Sequence, residues 1–216
     1  MFLNLSSTLI GGLLSKKYKW VYVILCLFVV LLVYLADLNH YYWGIRSVYW
    51  PIISLWLFFK IESFFIVKTS KNNYFKFNFQ TIKLNLYLIL IFSLIFIVIY
   101  FNKLYPQGDL TNLNRGIPNL YFPFLYAFLS VPLQQDMFFG ELYNRLSTFS
   151  NVFRYFFISC FYSLTHIYYP QPQLILLVTF GLGLYWVYCR QKSQSVWGNI
   201  LAQIVIGLTS FALNFA

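Results

Sequence analysis

The run from Leu84 to Phe101 holds no charged residue, and it constrains the chain more than any other feature. A helix of that length reaches close to the ~30 Å of a bilayer core. Six further apolar segments read the same way: about Trp20 to Ala36, Val48 to Val67, Asn119 to Leu142, Phe153 to Tyr169, Leu174 to Tyr188 and Val196 to Phe215. Strand-type alternation is absent and the runs are too long for barrel strands. The sequence therefore predicts an all-α polytopic membrane bundle of about seven transmembrane helices. With 60% hydrophobic and 9% charged residues, the chain departs from soluble domains, where about a quarter of residues are charged. So much apolar surface also excludes intrinsic disorder. Cys26, Cys160 and Cys189 each lie in an apolar stretch without a C-x-x-C pair, which excludes a disulfide scaffold. Two histidines cannot build a multi-histidine metal site.

The net charge of +10 reads as orientation. With the N-terminus in the cytoplasm, seven alternating spans put Lys16, Lys17, Lys19, Lys68, Lys71, Lys76, Lys83, Arg145, Arg154, Arg190 and Lys192 inside. Only Arg46, Lys103 and Arg115 fall outside, and Lys60 lies within a span. This is the cation bias of cytoplasmic loops, and it implies attraction to anionic membrane lipid, with no nucleic acid as partner. The first fifteen residues read as an interfacial helix in preference to a cleaved signal, since Lys16, Lys17 and Lys19 follow the apolar stretch instead of preceding it. By texture the chain divides at 118. Residues 1–118 hold three spans, an aromatic belt at Tyr41, Tyr42, Trp43 and Trp50, and a loop marked by Pro106, Gly108, Gly116 and Pro118. Residues 119–216 hold four spans with short connections.

Polar groups inside a bilayer are costly, so each is a candidate for function. Lys60 and Glu62, interrupted from the segment's start by Pro51, are two residues apart and make poor mutual partners; they read as a helix end at the inner interface. The fourth span holds Gln134, Gln135, Asp136, Glu141 and Arg145. The fifth holds Tyr162-Ser163-Leu164-Thr165-His166, the sixth Gly181-Leu182-Gly183, and the seventh Ser195-Val196-Trp197-Gly198-Asn199 followed by Gln203 and Gly207. Glu141 and Arg145 are spaced as an i,i+4 ion pair, and on a 100° projection Asp136 faces away from Gln134 toward another helix.

This order resembles the CPBP family of intramembrane proteases, which includes the CAAX prenyl endopeptidases and the bacteriocin-processing proteins. Gln134-Gln135-x-x-x-Phe139-Gly140, with Arg145-Leu146 behind it, falls on the family's Glu-Glu-x-x-x-Arg motif. Tyr162-x-x-x-His166 falls on Phe-x-x-x-His, Phe180-x-x-Gly183 on the Gly-rich helix, and Gln203-x-x-x-Gly207 on the last motif, which begins with His. The resemblance covers about residues 119–211. It implies a four-helix core and, in the enzymes, a glutamate and histidines that activate water for attack on a peptide bond. It thereby marks Gln134, Gln135, Tyr162, His166 and Gln203 as binding residues, with His166 the one catalytic identity retained, and Asp136 joins them from its own position in the span. Gln134, Gln135, His166 and Gln203 can form an interhelical hydrogen-bond cluster or line a polar pocket that grips an extended peptide.

Here both motif glutamates are glutamine, the arginine is Phe139, and the later histidine is Gln203. A glutamine amide stays neutral at any working pH and cannot take a proton from water as a carboxylate can. It is also a poor zinc ligand, so no metal or cofactor is expected. The sequence thus predicts a catalytically degenerate protein that binds a membrane peptide or protein partner. Two alternatives stand beside that expectation. One is an active endopeptidase using His166 with Glu141 or Asp136, under which zinc enters as a cofactor. The other is a structural subunit of a larger membrane complex.

Overall fold

The computed structural model describes residues 19–38, 45–65, 74–101, 122–166 and 172–213. The expected interfacial helix at the N-terminus, the belt residues Tyr41, Tyr42 and Trp43, and the 106–118 loop lie outside the described residues.

All regular structure among the described residues is helical, as the apolar runs predict. The helices are α1 (Lys19–Leu38), α2 (Ile45–Phe65), α3 (Phe79–Phe101), α4 (122–145), α5 (Asn151–Leu164), α6 (Pro172–Ser193) and α7 (Trp197–Leu213). A 3-10 turn, Leu146–Thr148, leads from α4 toward α5. Among the described residues, α6 over Gln173–Ser193 is long and apolar enough by length and composition to cross a membrane. The apolar stretches Trp20–Leu32, Phe79–Ile95 and Trp197–Thr209 are shorter.

Two departures from the sequence reading are local. First, α4 is not a uniform α-helix: Tyr126–Ser130 and Asp136–Leu142 are π-helical. The Val131 amide donates to the Tyr126 carbonyl, an i→i−5 bond, immediately before Pro132. Proline has no N–H to give and its ring crowds the preceding turn, so a widened turn relieves both problems. A 100° projection, as applied to Gln134 and Asp136, does not carry on through the π-helical stretch Asp136–Leu142. Second, α5 stops at Leu164, short of the expected Tyr169. Thr165 and His166 close a final turn through Thr165 N to the Phe161 carbonyl and His166 N to the Ser163 carbonyl, 2.9 Å. Thr165 Oγ1 adds a bond to the Tyr162 carbonyl, 2.7 Å, and Pro170 and Pro172 follow in sequence. His166 is therefore a turn residue and not a mid-helix one.

The chain forms two compact units, each drawn from two stretches of sequence. One comprises Met1–Asn72 and Met137–Val187; the other comprises Asn73–Asp136 and Tyr188–Ala216.

In the first unit α1 packs on α2 and reaches α5. Its core is aromatic. The rings of Phe139, Tyr162 and Trp186 meet pairwise at centroid distances of 5.5 to 5.7 Å, and Phe138 adds edge contacts to Phe161 and Tyr162. Such tilted and T-shaped pairs add to the apolar area they bury. Gly183 admits α6 to α5, because a Cβ there would meet the Ser159 backbone.

In the second unit α3 and α7 run side by side, joined by the α4 segment up to Asp136. Gly198 sets their closeness, since a Cβ would fall on the Thr81 carbonyl. A short segment before α3 is fastened to the turn before α7. Val196 N donates to the Tyr74 carbonyl (3.0 Å), Asn78 Nδ2 to the Ser193 carbonyl (2.6 Å), and the Trp197 indole N–H to the Phe75 carbonyl. Asn78 Oδ1 also accepts from Gln80 N at 2.9 Å, so one side chain caps α3 and ties it down.

Candidate functional site: a buried amide cluster

Three of the residues singled out by the sequence come together in the second unit. Gln134 and Gln135 lie on the short α-helical stretch Val131–Gln135 of α4, between the two π-helical segments, and Gln203 lies on α7. All three are buried. Gln135 Nε2 donates to Gln203 Oε1 at 2.7 Å. Gln203 Nε2 donates to Gln134 Oε1 at 2.8 Å, and Gln134 Nε2 to Ser130 Oγ at 3.0 Å. The result is a head-to-tail relay, Gln135 to Gln203 to Gln134 to Ser130, in which each amide acts as donor to the next. Such chains polarise one another where the dielectric is low. At its head, Gln135 Oε1 is buried without a hydrogen-bond partner. The Tyr126 hydroxyl donates to the Gln203 carbonyl (3.3 Å), and Gly207 gives the Tyr126 ring its space.

One turn before Gln203 on α7, Asn199 accepts from Asn85 Nδ2 on α3 at 3.0 Å, and Asn85 also donates to the Thr81 carbonyl. The α7 face thus presents Asn199 and Gln203 in an i,i+4 pair, one amide to α3 and the other to α4. Sequence reasoning did not single out Asn85 or Asn199 as site residues. Asn85 is the lone amide in the charge-free run of α3, four residues after Thr81, and that was the available signal.

Asp136 is also in this unit and is buried. Its Oδ1 accepts the Tyr74 hydroxyl at 2.6 Å, and the Arg190 guanidinium lies 5.5 Å over the Tyr74 ring. Tyr74 sits in the turn before α3, so the partner of Asp136 lies off the helices and not on another helix as the spacing suggested.

His166 and Tyr162 belong to the first unit. His166 Nδ1 is 2.8 Å from the Tyr162 carbonyl, and the two rings lie 4.6 Å apart. A carbonyl only accepts, so Nδ1 carries the proton; in the neutral ring Nε2 is then the basic nitrogen. Phe139, which stands where the family motif has arginine, is wholly buried in the aromatic core described above.

Glu141 is engaged as well. It accepts from Lys60 Nζ at 2.8 Å and from Arg145, the i,i+4 partner expected on spacing. Arg145 Nε also reaches Glu62 at 3.0 Å, Arg145 Nη2 donates to the Phe59 carbonyl at 2.7 Å, and the Tyr22 hydroxyl donates to Glu62 at 2.5 Å. Lys60 and Glu62, read on sequence as a helix end, lie in the last turns of α2 and face a partner pair on α4. Two cations and two carboxylates, all but Lys60 about nine-tenths buried, close a neutral network across α1, α2 and α4. The Arg145 guanidinium stacks 4.3 Å from the Phe59 ring centroid, a geometry lysine cannot reproduce.

Zinc does not fit the donors at the motif positions. The three amides there are neutral, and each spends an N–H on a neighbour. Among the described residues no group of three or more His, Cys, Asp or Glu side chains is placed to hold a metal ion.

Residues 117–209 match the family model described as type II CAAX prenyl endopeptidase Rce1-like. The match spans Gln134, Gln135, His166 and Gln203 but under half of the chain. No curated protein and no solved structure matches the chain.

Proposed function

We propose, from the premise that residues 117–209 belong to the Rce1-like type II CAAX prenyl endopeptidase group of the CPBP family, that this protein keeps the family's helical core and has given up hydrolysis. It acts instead by holding a membrane peptide or protein partner. The observation that carries this reading is the Gln135–Gln203–Gln134 relay. Three positions that need proton-transfer groups hold neutral amides, and those amides are committed to one another. A relay of this kind binds helices together at roughly 0.6 kcal/mol per bond, rising to about 1.7.

The carboxylates that the active alternative requires are both engaged: Glu141 by Lys60 and Arg145, Asp136 by Tyr74. Using Glu141 as a base would withdraw it from Lys60 and from Arg145, which would keep Glu62.

The membrane setting is part of the proposal: seven spans with the N-terminus in the cytoplasm. It is supported by the exposed apolar faces of α1 (Ile24, Leu27, Phe28, Leu31) and α3 (Leu86, Leu90, Leu94), which water would penalise.

The test restores the chemistry. The triple variant Gln134→Glu, Gln135→Glu, Gln203→His, purified beside the native chain, should cleave a prenylated test peptide while the native chain does not. A folded triple variant with no activity would mean that more than side chains has decayed. Cleavage by the native chain would overturn the reading.

A further inference from the structure

The start of α3 and the start of α7 form one continuous surface. The bonds from Val196 to Tyr74, Asn78 to Ser193 and Trp197 to Phe75 join residues 74–79 to residues 193–197, and Gly198 presses the two helices together just beyond. On this surface the rings of Phe77, Phe79 and Trp197 are 63%, 73% and 36% exposed. Lys76, Lys83 and Lys192 are exposed beside them. Among the described residues of this unit the carboxylate is Asp136, which is buried and bonded to Tyr74, so nothing acidic offsets the three ammonium groups. The N-terminal ends of α3 and α7 bring partial positive charge to this surface, and the C-terminal end of α6 brings the opposite, faced by its own Lys192 and Arg190.

We infer that this collar is a binding surface for the headgroups of anionic phospholipid in the adjoining leaflet. Along α3 the exposed chemistry changes in a fixed order. Lysine and aromatic rings come first, and then the aliphatic face of Leu86, Leu90 and Leu94. A phospholipid leaflet presents the complement in the same order, from phosphate through the interfacial region to the acyl chain. An acidic protein would match the lysines but would not account for the rings or the aliphatic face that continues from them. The inference rests on the membrane reading proposed above, and it localises to one surface a charge excess that the sequence shows only in aggregate.

The experiment uses the full chain in nanodiscs of phosphatidylcholine containing a minority of phosphatidylglycerol, with brominated acyl chains on one lipid or the other. The Trp197 signal is obtained by difference from Trp197→Phe. At equal bromine content, bromine on phosphatidylglycerol should quench Trp197 at least about twofold more than bromine on phosphatidylcholine. The combined variant Lys76→Gln, Lys83→Gln, Lys192→Gln should abolish that excess while keeping its helical circular dichroism, since all three side chains are exposed. Equal quenching by both lipids overturns the anionic preference and leaves the membrane reading intact. No quenching by either lipid overturns the membrane placement itself. An acidic protein that co-purifies with the native chain and is lost with the glutamine variant, alongside equal quenching, assigns the lysines to a protein instead.

Discussion

Gln203 accepts from Gln135 and donates to Gln134, so its removal breaks both relay bonds between α4 and α7, whereas removal of either neighbour breaks one. In a thermal unfolding series in detergent, Gln203→Leu should destabilise by about 1–3 kcal/mol, and a double-mutant cycle with Gln135→Leu should return a coupling of roughly 0.6–1.7 kcal/mol. A coupling of zero would mean that the relay does not form. Phe139 makes a sharper case. Restoring the family's arginine there, Phe139→Arg, would place an unpaired charge in a ring of aromatics and should prevent folding, whereas Phe139→Leu should cost about 1–3 kcal/mol. Tolerance of the arginine, read as normal yield and a cooperative melt, would show that a carboxylate partner lies within its reach. At this scale the resemblance gave the positions, and the sequence allowed Gln134, Gln135, His166 and Gln203 an interhelical hydrogen-bond cluster. Which amide would bond to which, and that His166 would bond to the Tyr162 carbonyl, it did not show, because that depends on how the helices meet and where α5 ends.

Elements are held by two different devices. In the second unit, α3 and α7 approach through Gly198, and Gly198→Val should separate them. Loss of about 2 kcal/mol or more is expected, because the obstructing atoms are the Thr81 carbonyl, backbone that cannot rotate away. Wild-type stability in that variant would contradict the close approach. In the first unit, α1, α2 and α4 are tied by the Lys60, Glu62, Glu141 and Arg145 network with the Tyr22 hydroxyl. Arg145→Met takes the guanidinium from both buried carboxylates, leaving Glu141 with Lys60 and Glu62 with the Tyr22 hydroxyl, and should cost about 3–5 kcal/mol. Adding Glu62→Gln to that variant should recover part of the loss. Helix positions were legible in the apolar runs, and the Glu141–Arg145 pair in its spacing. The π-helical turns of α4 were not, because hydrophobic periodicity reports a regular helix and is blind to one extra residue in a turn. The early end of α5 was equally hidden, since Thr165 and His166 continue its sequence pattern while their backbone amides close a tighter turn.

For the molecule as a whole, the charge distribution predicts a topology that labelling can check. A cysteine introduced at Lys76 should react with a membrane-impermeant maleimide only when the cytoplasmic side is open, and one at Lys103 only from outside. The central claim is that a protease core has been kept and its chemistry lost, and incubating the purified native chain with a prenylated peptide tests it most directly. The account predicts intact peptide after exhaustive incubation, with or without added zinc. Product that disappears on His166→Ala or Glu141→Gln would contradict it.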